Sequence, residues 1–304
     1  MKNFAIVGAA GFVAERHMRA IKETGNCLVC CCDPFDVMGK IDSYFPDAEY
    51  FNHSTLMFDY IKSLKGTDRQ VDYISICTPN YLHMEHIILS LECGANVICE
   101  KPLVIHPEQI KTIERFQSVY GGKVFTVLQL RYHDAIKDLK ASVESGVAKA
   151  DFGVYIEYIT SRGEWYHKSW KGDKDKSGGL ATNIGVHLFD MLIWVFGDIF
   201  NNKIHYYNEQ TISGTLLLKK ATVKWMLSID ESQLPENLPT DTRTYRSMLV
   251  NGVELEFSKG FTNLHTKTYE QILAGNGFAP HDTYPSIKLV EEIRKMTNER
   301  KFYI

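Results

Sequence analysis

Hydrophobic residues follow two patterns along this chain, and the change falls near residue 122. Before it, short apolar runs at 4–7, 28–32 and 97–99, and a mainly apolar one at 71–77 broken by Asp72 and Ser75, alternate with segments of helical period. Unbroken runs of this length suit strands covered on both faces of a parallel sheet. Met84, Ile87, Ile88 and Leu91 repeat at helical spacing, and Gly94 stands where a helix ends. Ile110, Ile113 and Phe116 mark another helix over 107–120, and a further one follows the first strand as far as about Lys22. Strand–helix alternation of this kind predicts a doubly wound, parallel α/β sheet.

After residue 122 the period becomes two. The apolar run from Lys123 ends in Gln129-Leu130-Arg131, and a short helix starts at His133. Phe152, Val154, Ile156 and Tyr158 then alternate with other residues, as do Val223, Trp225, Leu227 and Ile229. Val253, Leu255 and Phe257 alternate with Glu254 and Glu256 just after Asn251-Gly252, a hairpin turn signal. This is the pattern of a large, mostly antiparallel open sheet in an α+β domain. Leu188, Met191, Leu192, Val195 and Phe196 form a buried helix between two of these strands, and a helix over 285–296 closes the chain. The expected domains are 1–122 and 123–304, divided at Gly121-Gly122.

The chain has 304 residues, 44% hydrophobic and 23% charged, enough for two globular domains with sizeable cores. A net charge of −3 gives no general attraction to nucleic acid or to an anionic membrane. No apolar run approaches the roughly 20 residues that span a bilayer, and the start is too soon broken by Gly8 for a secretory leader. The expected location is therefore the cytoplasm. Five of the seven cysteines sit inside apolar runs without the paired spacing of a zinc site. They read as small buried hydrophobes, and no metal is expected.

The chemistry starts at the first strand, which runs into Gly8-Ala9-Ala10-Gly11-Phe12-Val13-Ala14 and then a helix. A glycine turn of this kind brings backbone N–H groups and a helix N-terminus against a pyrophosphate. Ala10 and Val13-Ala14 replace the second and third glycines of the full motif. The second strand ends in Asp33, at the spacing where an acid meets ribose hydroxyls, and no arginine follows to hold a 2′-phosphate. The expected cofactor is NAD, in a Rossmann domain. Its candidate contacts are Gly8, Gly11, Phe12, Val13 and Asp33, then Thr78, Asn80 and His83 after the next strand, His83 reading equally as a helix-start residue, then Glu100, Lys101 and Gln129 at later strand ends. Val97-Ile98-Cys99-Glu100-Lys101-Pro102 places an acid and a lysine where open α/β sheets bind ligands, because Pro102 cannot extend the ladder.

A second constellation lies in Gly178-Gly179-Leu180-Ala181-Thr182-Asn183-Ile184-Gly185-Val186-His187-Leu188-Phe189-Asp190. If a helix begins near Thr182, Asn183, His187 and Asp190 share one face. Arg162, Lys168, Lys171, Lys174 and Lys176 are interleaved with Trp165, Tyr166 and Trp170, a mixture suited to phosphate and carboxylate oxygens. Lys174 and Lys176, beside Asp173 and Asp175, read as a solvated face. Arg131, Arg162, Trp165, Lys171 and Asn183 are the candidate substrate contacts, with Lys101 and His187.

The glycine turn, the Glu100-Lys101-Pro102 triplet and Gly185-x-His187…Asp190, in this order, resemble the glucose–fructose oxidoreductase/inositol dehydrogenase family. The resemblance covers nearly the whole chain. It implies that Lys101 and His187 flank the nicotinamide and handle a substrate hydroxyl; many members carry an aspartate where this chain has Asn183. The segments 159–173, 182–187, 129–131 and 245–252 resemble one branch, the UDP-N-acetylglucosaminuronate 3-dehydrogenases of bacterial lipopolysaccharide O-antigen biosynthesis. That branch implies oxidation of the sugar's C3 hydroxyl to a ketone for a following aminotransferase. It also implies reoxidation of NADH by 2-oxoglutarate in some members, and a homo-dimer or homo-tetramer. His187 is the first choice as base because imidazole titrates near neutrality, with Lys101 stabilising the alkoxide; the reverse assignment stays open. Alternatives are a dehydrogenase of another sugar or inositol, and a non-enzymatic NAD sensor.

Overall fold

The computed structural model describes residues 1–146, 151–239, 241–257 and 263–300. The chain divides into two compact units, Met1–Gln129 with Thr262–Tyr284, and Leu130–Phe261 with Pro285–Ile304. The boundary thus falls a few residues after the expected one. The larger correction is that 262–284, expected in the second domain, belongs to the first.

The first unit runs β1 (Asn3–Val7), α1 (Ala14–Glu23), β2 (Cys27–Cys32), α2 (Met38–Tyr44), β3 (Glu49–Phe51), α3 (Ser54–Ser63), β4 (Tyr73–Ile76), α4 (His83–Glu92), β5 (Asn96–Cys99), α5 (Glu108–Tyr120) and β6 (Val124–Thr126). All its strand pairs are parallel, in the order β3-β2-β1-β4-β5-β6. The order reverses between β1 and β4, which opens a crevice at their carboxyl ends. The unbroken apolar runs are the sheet's centre: Phe4, Ile6, Ile74, Val97 and Ile98 are fully buried. Two expectations shorten. The apolar run from Lys123 is a strand only to Thr126, and Gln129–Tyr132 is a single 3₁₀ turn.

The second unit runs α6 (Asp134–Glu144), β7 (Phe152–Thr160), α7 (Glu164–Lys168), α8 (Lys174–Ser177), α9 (Val186–Phe196), β8 (Ile199–Tyr207), β9 (Thr211–Leu218), β10 (Ala221–Ser228), β11 (Thr244–Val250) and β12 (Val253–Glu254). Its sheet order is β12-β11-β7-β10-β9-β8, antiparallel except for β7 with β10. Burial alternates along β7 and β10 as their period of two predicts. Asn251 and Gly252 both take positive φ in the hairpin turn, 52° and 81°. The strand after that turn is only two residues long. Its Val253, on the sheet's edge, is exposed among the described residues. The stretch Lys174–Phe196 is long and apolar enough to cross a membrane by composition, which the search for unbroken apolar runs did not reveal. However, 67% of its most apolar window is buried in the fold, as in a core helix.

After β12, α10 (Leu264–Leu273) returns to the first unit, and α11 (Tyr284–Arg300) closes the chain. Helix α10 buries Leu264, Tyr269 and Ile272, and the Tyr269 ring stacks on Phe4 of β1 with centroids 5.7 Å apart. This apolar anchorage explains the non-local assignment.

Candidate active site

The first unit supplies a dinucleotide cradle. The turn after β1 passes so close to the end of β4 that side chains do not fit. A Cβ on Gly8 would lie 2.7 Å from the Cys77 carbonyl carbon and the Thr78 nitrogen. One on Gly11 would lie 2.7 Å from the Cys77 carbonyl oxygen. Gly8 also has φ +86°, a region L side chains rarely adopt. The alanine at the second glycine position is tolerated because the turn is held elsewhere. Ala10 donates its backbone N–H to the Asp33 carboxylate at 2.8 Å, and Ala9 donates to the Cys32 carbonyl. Asp33, buried at the end of β2, also accepts the Phe35 N–H. It therefore sits against the turn where a ribose-binding acid belongs. Phe12 is exposed at the tip, and Val13 begins α1 without any side-chain cap. The N-terminus of α1 thus keeps its positive end open to an anion.

At the other strand ends the outcome is mixed. Thr78 Oγ1 pairs with His86 Nδ1 at 3.0 Å, and Asn80 is buried in a 3₁₀ turn. Gln129 opens the later turn with its side-chain oxygen buried and no hydrogen-bond partner among the described residues. An orphaned acceptor of that kind fits a missing ligand.

Two cofactor candidates need correction. His83 is fully buried, with Nδ1 2.8 Å from the Pro102 carbonyl and Nε2 2.9 Å from the Thr78 carbonyl. The ring lies between the two strand-end loops, and in its neutral form its single N–H donates to one of these carbonyls. Burial lowers its pKa, against the pull of those two carbonyls. The Glu100 carboxylate also turns inward, accepting from His17 Nε2 at 3.0 Å and His265 Nε2 at 2.9 Å. Lys101 follows it, half-buried, donating its backbone N–H to Glu100 Oε2 at 3.3 Å.

The second unit gathers another set. Ala181–Gly185 forms a π-helical turn that leads into α9. Asn183 and His187 are therefore not on a regular α-helical face, and wide turns of this kind recur at functional sites. Asn183 donates to the Tyr166 hydroxyl at 3.0 Å. His187 packs edge-on against Tyr158 of β7 at 5.7 Å, and the Arg246 guanidinium lies over the same tyrosine ring at 4.7 Å. The sequence reading missed Tyr158 and used Arg246 only as part of a resemblance. Alternation marks Tyr158 as inward-facing, but no sequence signal pairs it with His187.

Arg162 and Lys171 both lie over the Trp165 indole, at 5.9 and 5.3 Å, so these three candidates do come together. Nearby, a cavity of about 150 Å³ is lined by Tyr166, Lys171, Lys174, Tyr207 and Arg294 among others. Lys174 is exposed, as expected, and donates to the Tyr207 hydroxyl at the surface. Lys168 pairs with Glu164 at the surface.

Arg131 and Asp190 are the main correction here. The guanidinium donates through Nε and an Nη to the two Asp190 oxygens at 2.9 and 2.8 Å, with both side chains buried. Asp190 and His187 both lie in α9, three residues apart, whereas Asn183 lies in the π turn before it. The pair makes Arg131 a clamp on α9.

A glycine cradle, a buried acid beside it and an uncapped helix N-terminus on a sheet of this order define a dinucleotide-binding domain. Residues 2–126 match the oxidoreductase family with the NAD-binding Rossmann fold, and residues 152–230 match that family's C-terminal α/β domain. The chain belongs to this glucose–fructose oxidoreductase/inositol dehydrogenase family, and its cofactor is NAD. It is 44% identical to the WlbA (WbpB) dehydrogenase from Thermus thermophilus, over 97% of this chain and 95% of that one, with a TM-score of 0.91. That enzyme has been solved with NAD and α-ketoglutarate, and with NAD and UDP-GlcNAcA. The WlbA dehydrogenase of Bordetella pertussis shares the fold at 19% identity over 98% of this chain and 95% of that one, with a TM-score of 0.78. Escherichia coli D-glucoside 3-dehydrogenase is 26% identical over 64% of this chain and 53% of its own length. The chain spans about half the length of the curated relatives it matches.

Proposed function

We propose that this protein oxidises the C3 hydroxyl of UDP-N-acetyl-D-glucosaminuronic acid to the 3-keto sugar. The observation that carries the reading is the end-to-end similarity to the T. thermophilus enzyme whose complex holds NAD and UDP-GlcNAcA. The chemistry of the second unit agrees with it. A UDP-uronic acid brings a diphosphate and a carboxylate, and Arg162 and Lys171 against Trp165 offer fixed cations beside an aromatic face.

When bound, NAD supplies the hydride acceptor. Gly8, Gly11 and the start of α1 hold its pyrophosphate, and Asp33 its adenosine ribose. His187 removes the hydroxyl proton, and its contact with Tyr158 fixes the plane of the ring. Lys101 donates a hydrogen bond to the same oxygen as negative charge develops on it. Asn183, an amide, orients the sugar without titrating. Lys101 as the base, with a depressed pKa, is the second arrangement. It predicts a pH profile in which activity rises as a lysine loses its proton.

The α-ketoglutarate in the relative's other complex favours cofactor recycling: reduction of the 2-oxoacid would return NADH to NAD without its leaving. A 3-keto nucleotide sugar is the substrate a transaminase needs to place an amine at C3, so an aminotransferase of O-antigen sugar synthesis would act next. A cytoplasmic homo-dimer or homo-tetramer completes the proposal. The test is turnover of the K101M and H187N variants at saturating UDP-GlcNAcA. Losses of about 100-fold or more in both are expected for groups acting in the transition state. Near-parent rates in both would rule the assignment out.

A further inference from the structure

In the first unit, five polar side chains, from β4, α1, α10 and the strand end after β5, form one continuous chain of hydrogen bonds. Ser75 of β4 meets the Tyr269 hydroxyl of α10 at 2.6 Å, and that hydroxyl meets His17 Nδ1 of α1 at 2.7 Å. His17 Nε2 and His265 Nε2, the latter also from α10, lie 3.0 and 2.9 Å from the same Glu100 oxygen. The other Glu100 oxygen accepts the backbone N–H of Lys101. All five side chains are buried.

The donors can be assigned in one direction only, because a carboxylate can only accept. Both histidines donate Nε2–H to Glu100. His17 must then accept at Nδ1, which fixes the Tyr269 O–H toward it and the Ser75 O–H toward Tyr269. Burial alone would push the Glu100 carboxyl up, but the two imidazole donors outweigh it and hold it well below the ordinary range. Burial pushes His17 down, toward the neutral ring this pattern requires.

A buried anion with this many directed partners is costly to build and is not needed to close the sheet. Its position suggests what it is for, since it ends on the backbone of the residue that the proposed function gives the reacting oxygen. We propose that α10, through His265 and Tyr269, is the positioning element for Lys101: the chain of bonds locks the Glu100 carboxylate, and the carboxylate locks the Lys101 backbone. The inference rests on Lys101 acting at the substrate hydroxyl, and it makes His265, His17 and Tyr269 positioning residues rather than catalytic ones. The same three ligand types, two histidines and a glutamate, are also able to hold a divalent metal. The complete set of hydrogen bonds favours the metal-free arrangement.

The test compares H265L with H265Q, whose amide N–H can replace the imidazole donor. Y269F, which removes one oxygen and keeps the ring, repeats it with the least disturbance of packing. Two quantities are read, the hydrogen-exchange rate of the Lys101 amide and kcat at saturating UDP-GlcNAcA and NAD. In H265L the amide exchange should rise and kcat should fall about tenfold or more, as displaced catalytic groups do. The calorimetric Kd for NAD should stay within about twofold, since the Glu100 carboxylate is bonded to His17, His265 and the Lys101 amide rather than to the glycine turn. H265Q should restore both exchange and kcat to within about threefold, and Y269F should fall between the two. Unchanged exchange or unchanged kcat in H265L and Y269F overturns the inference. So does an H265Q variant as impaired as H265L, or one equivalent of metal in the purified parent. If the parent fails to turn over UDP-GlcNAcA, the proposed function fails, and the exchange measurement still decides whether α10 holds Lys101.

Discussion

Replacing Arg131 by methionine separates the two roles open to that residue. The guanidinium makes two hydrogen bonds to Asp190, and the side chains are only 7% and 3% exposed. Deleting the cation leaves a carboxylate buried without its main partner, a change that costs about 3–5 kcal/mol. For a unit of this size the loss corresponds to a fall of roughly 10 °C in Tm. D190N should cost about as much, because it strands the other charge. The double variant R131M/D190L replaces the pair by apolar groups of similar size and should recover most of the loss, with a coupling energy of about 3 kcal/mol. All four tryptophans, Trp165, Trp170, Trp194 and Trp225, lie in the second unit, so urea unfolding followed by intrinsic fluorescence reports on this unit alone. Trp194, with the Arg131 guanidinium 5.9 Å from its ring centroid, is a local reporter. An unchanged midpoint in R131M, together with a KM for the nucleotide sugar raised tenfold or more, would refute the clamp. It would return Arg131 to the substrate.

Three further outcomes follow from the same geometry. Burial, then the neighbouring His83, lowers His86 from 6.5 to about 4. Its neutral ring therefore contributes fully above about pH 6.5, and the contribution is lost as pH falls toward 4. The parent should lose about 2 kcal/mol more than H86N between pH 7 and pH 5, and parallel stability curves by circular dichroism would contradict this. G11A drives a Cβ to 2.7 Å from the Cys77 carbonyl oxygen. Overpacking of that order costs about 1–3 kcal/mol, so NAD should bind about tenfold or more weakly by calorimetry; unchanged affinity would remove the turn from the cofactor site. W165L takes the aromatic face from under Arg162 and Lys171. It should raise the KM for the nucleotide sugar about tenfold while leaving NAD affinity alone, and an equal loss of both would mean that the loop is structural.

Much of this could be read from the sequence because it is local. A strand buried on both faces is an unbroken apolar run, and a turn with no room for a Cβ needs glycine. Hence β1, β2, β4, β5 and the glycine turn after β1 were legible. The short elements α2, β3 and α3 were not, since Glu49–Phe51 is three partly exposed residues with no period to detect. Pairings distant in sequence were also hidden. Nothing near Arg131 points to Asp190, 59 residues on. Nothing in α10 distinguishes a helix of the second unit from one packed on Phe4 and His17 of the first. The inward partners of Glu100 and His83 were hidden for the same reason, although His83 does open α4, one of its two readings. Sequence placed them at the ligand-bearing edge of the sheet, but their side chains turn inward to partners contributed by other elements. The spacing of Asn183 and His187 implied an α-helical face, and the π turn at Ala181–Gly185 changes it.

The most direct measurement is the near-ultraviolet absorbance of the NAD-loaded protein after mixing with UDP-GlcNAcA, with UDP-GlcNAc, or with the free uronic acid. The account predicts the NADH band with UDP-GlcNAcA alone, and a product whose new carbonyl carbon is C3 by NMR. It also predicts no band in K101M on the same timescale. No band from the parent with UDP-GlcNAcA, or oxidation at a different carbon, would contradict it.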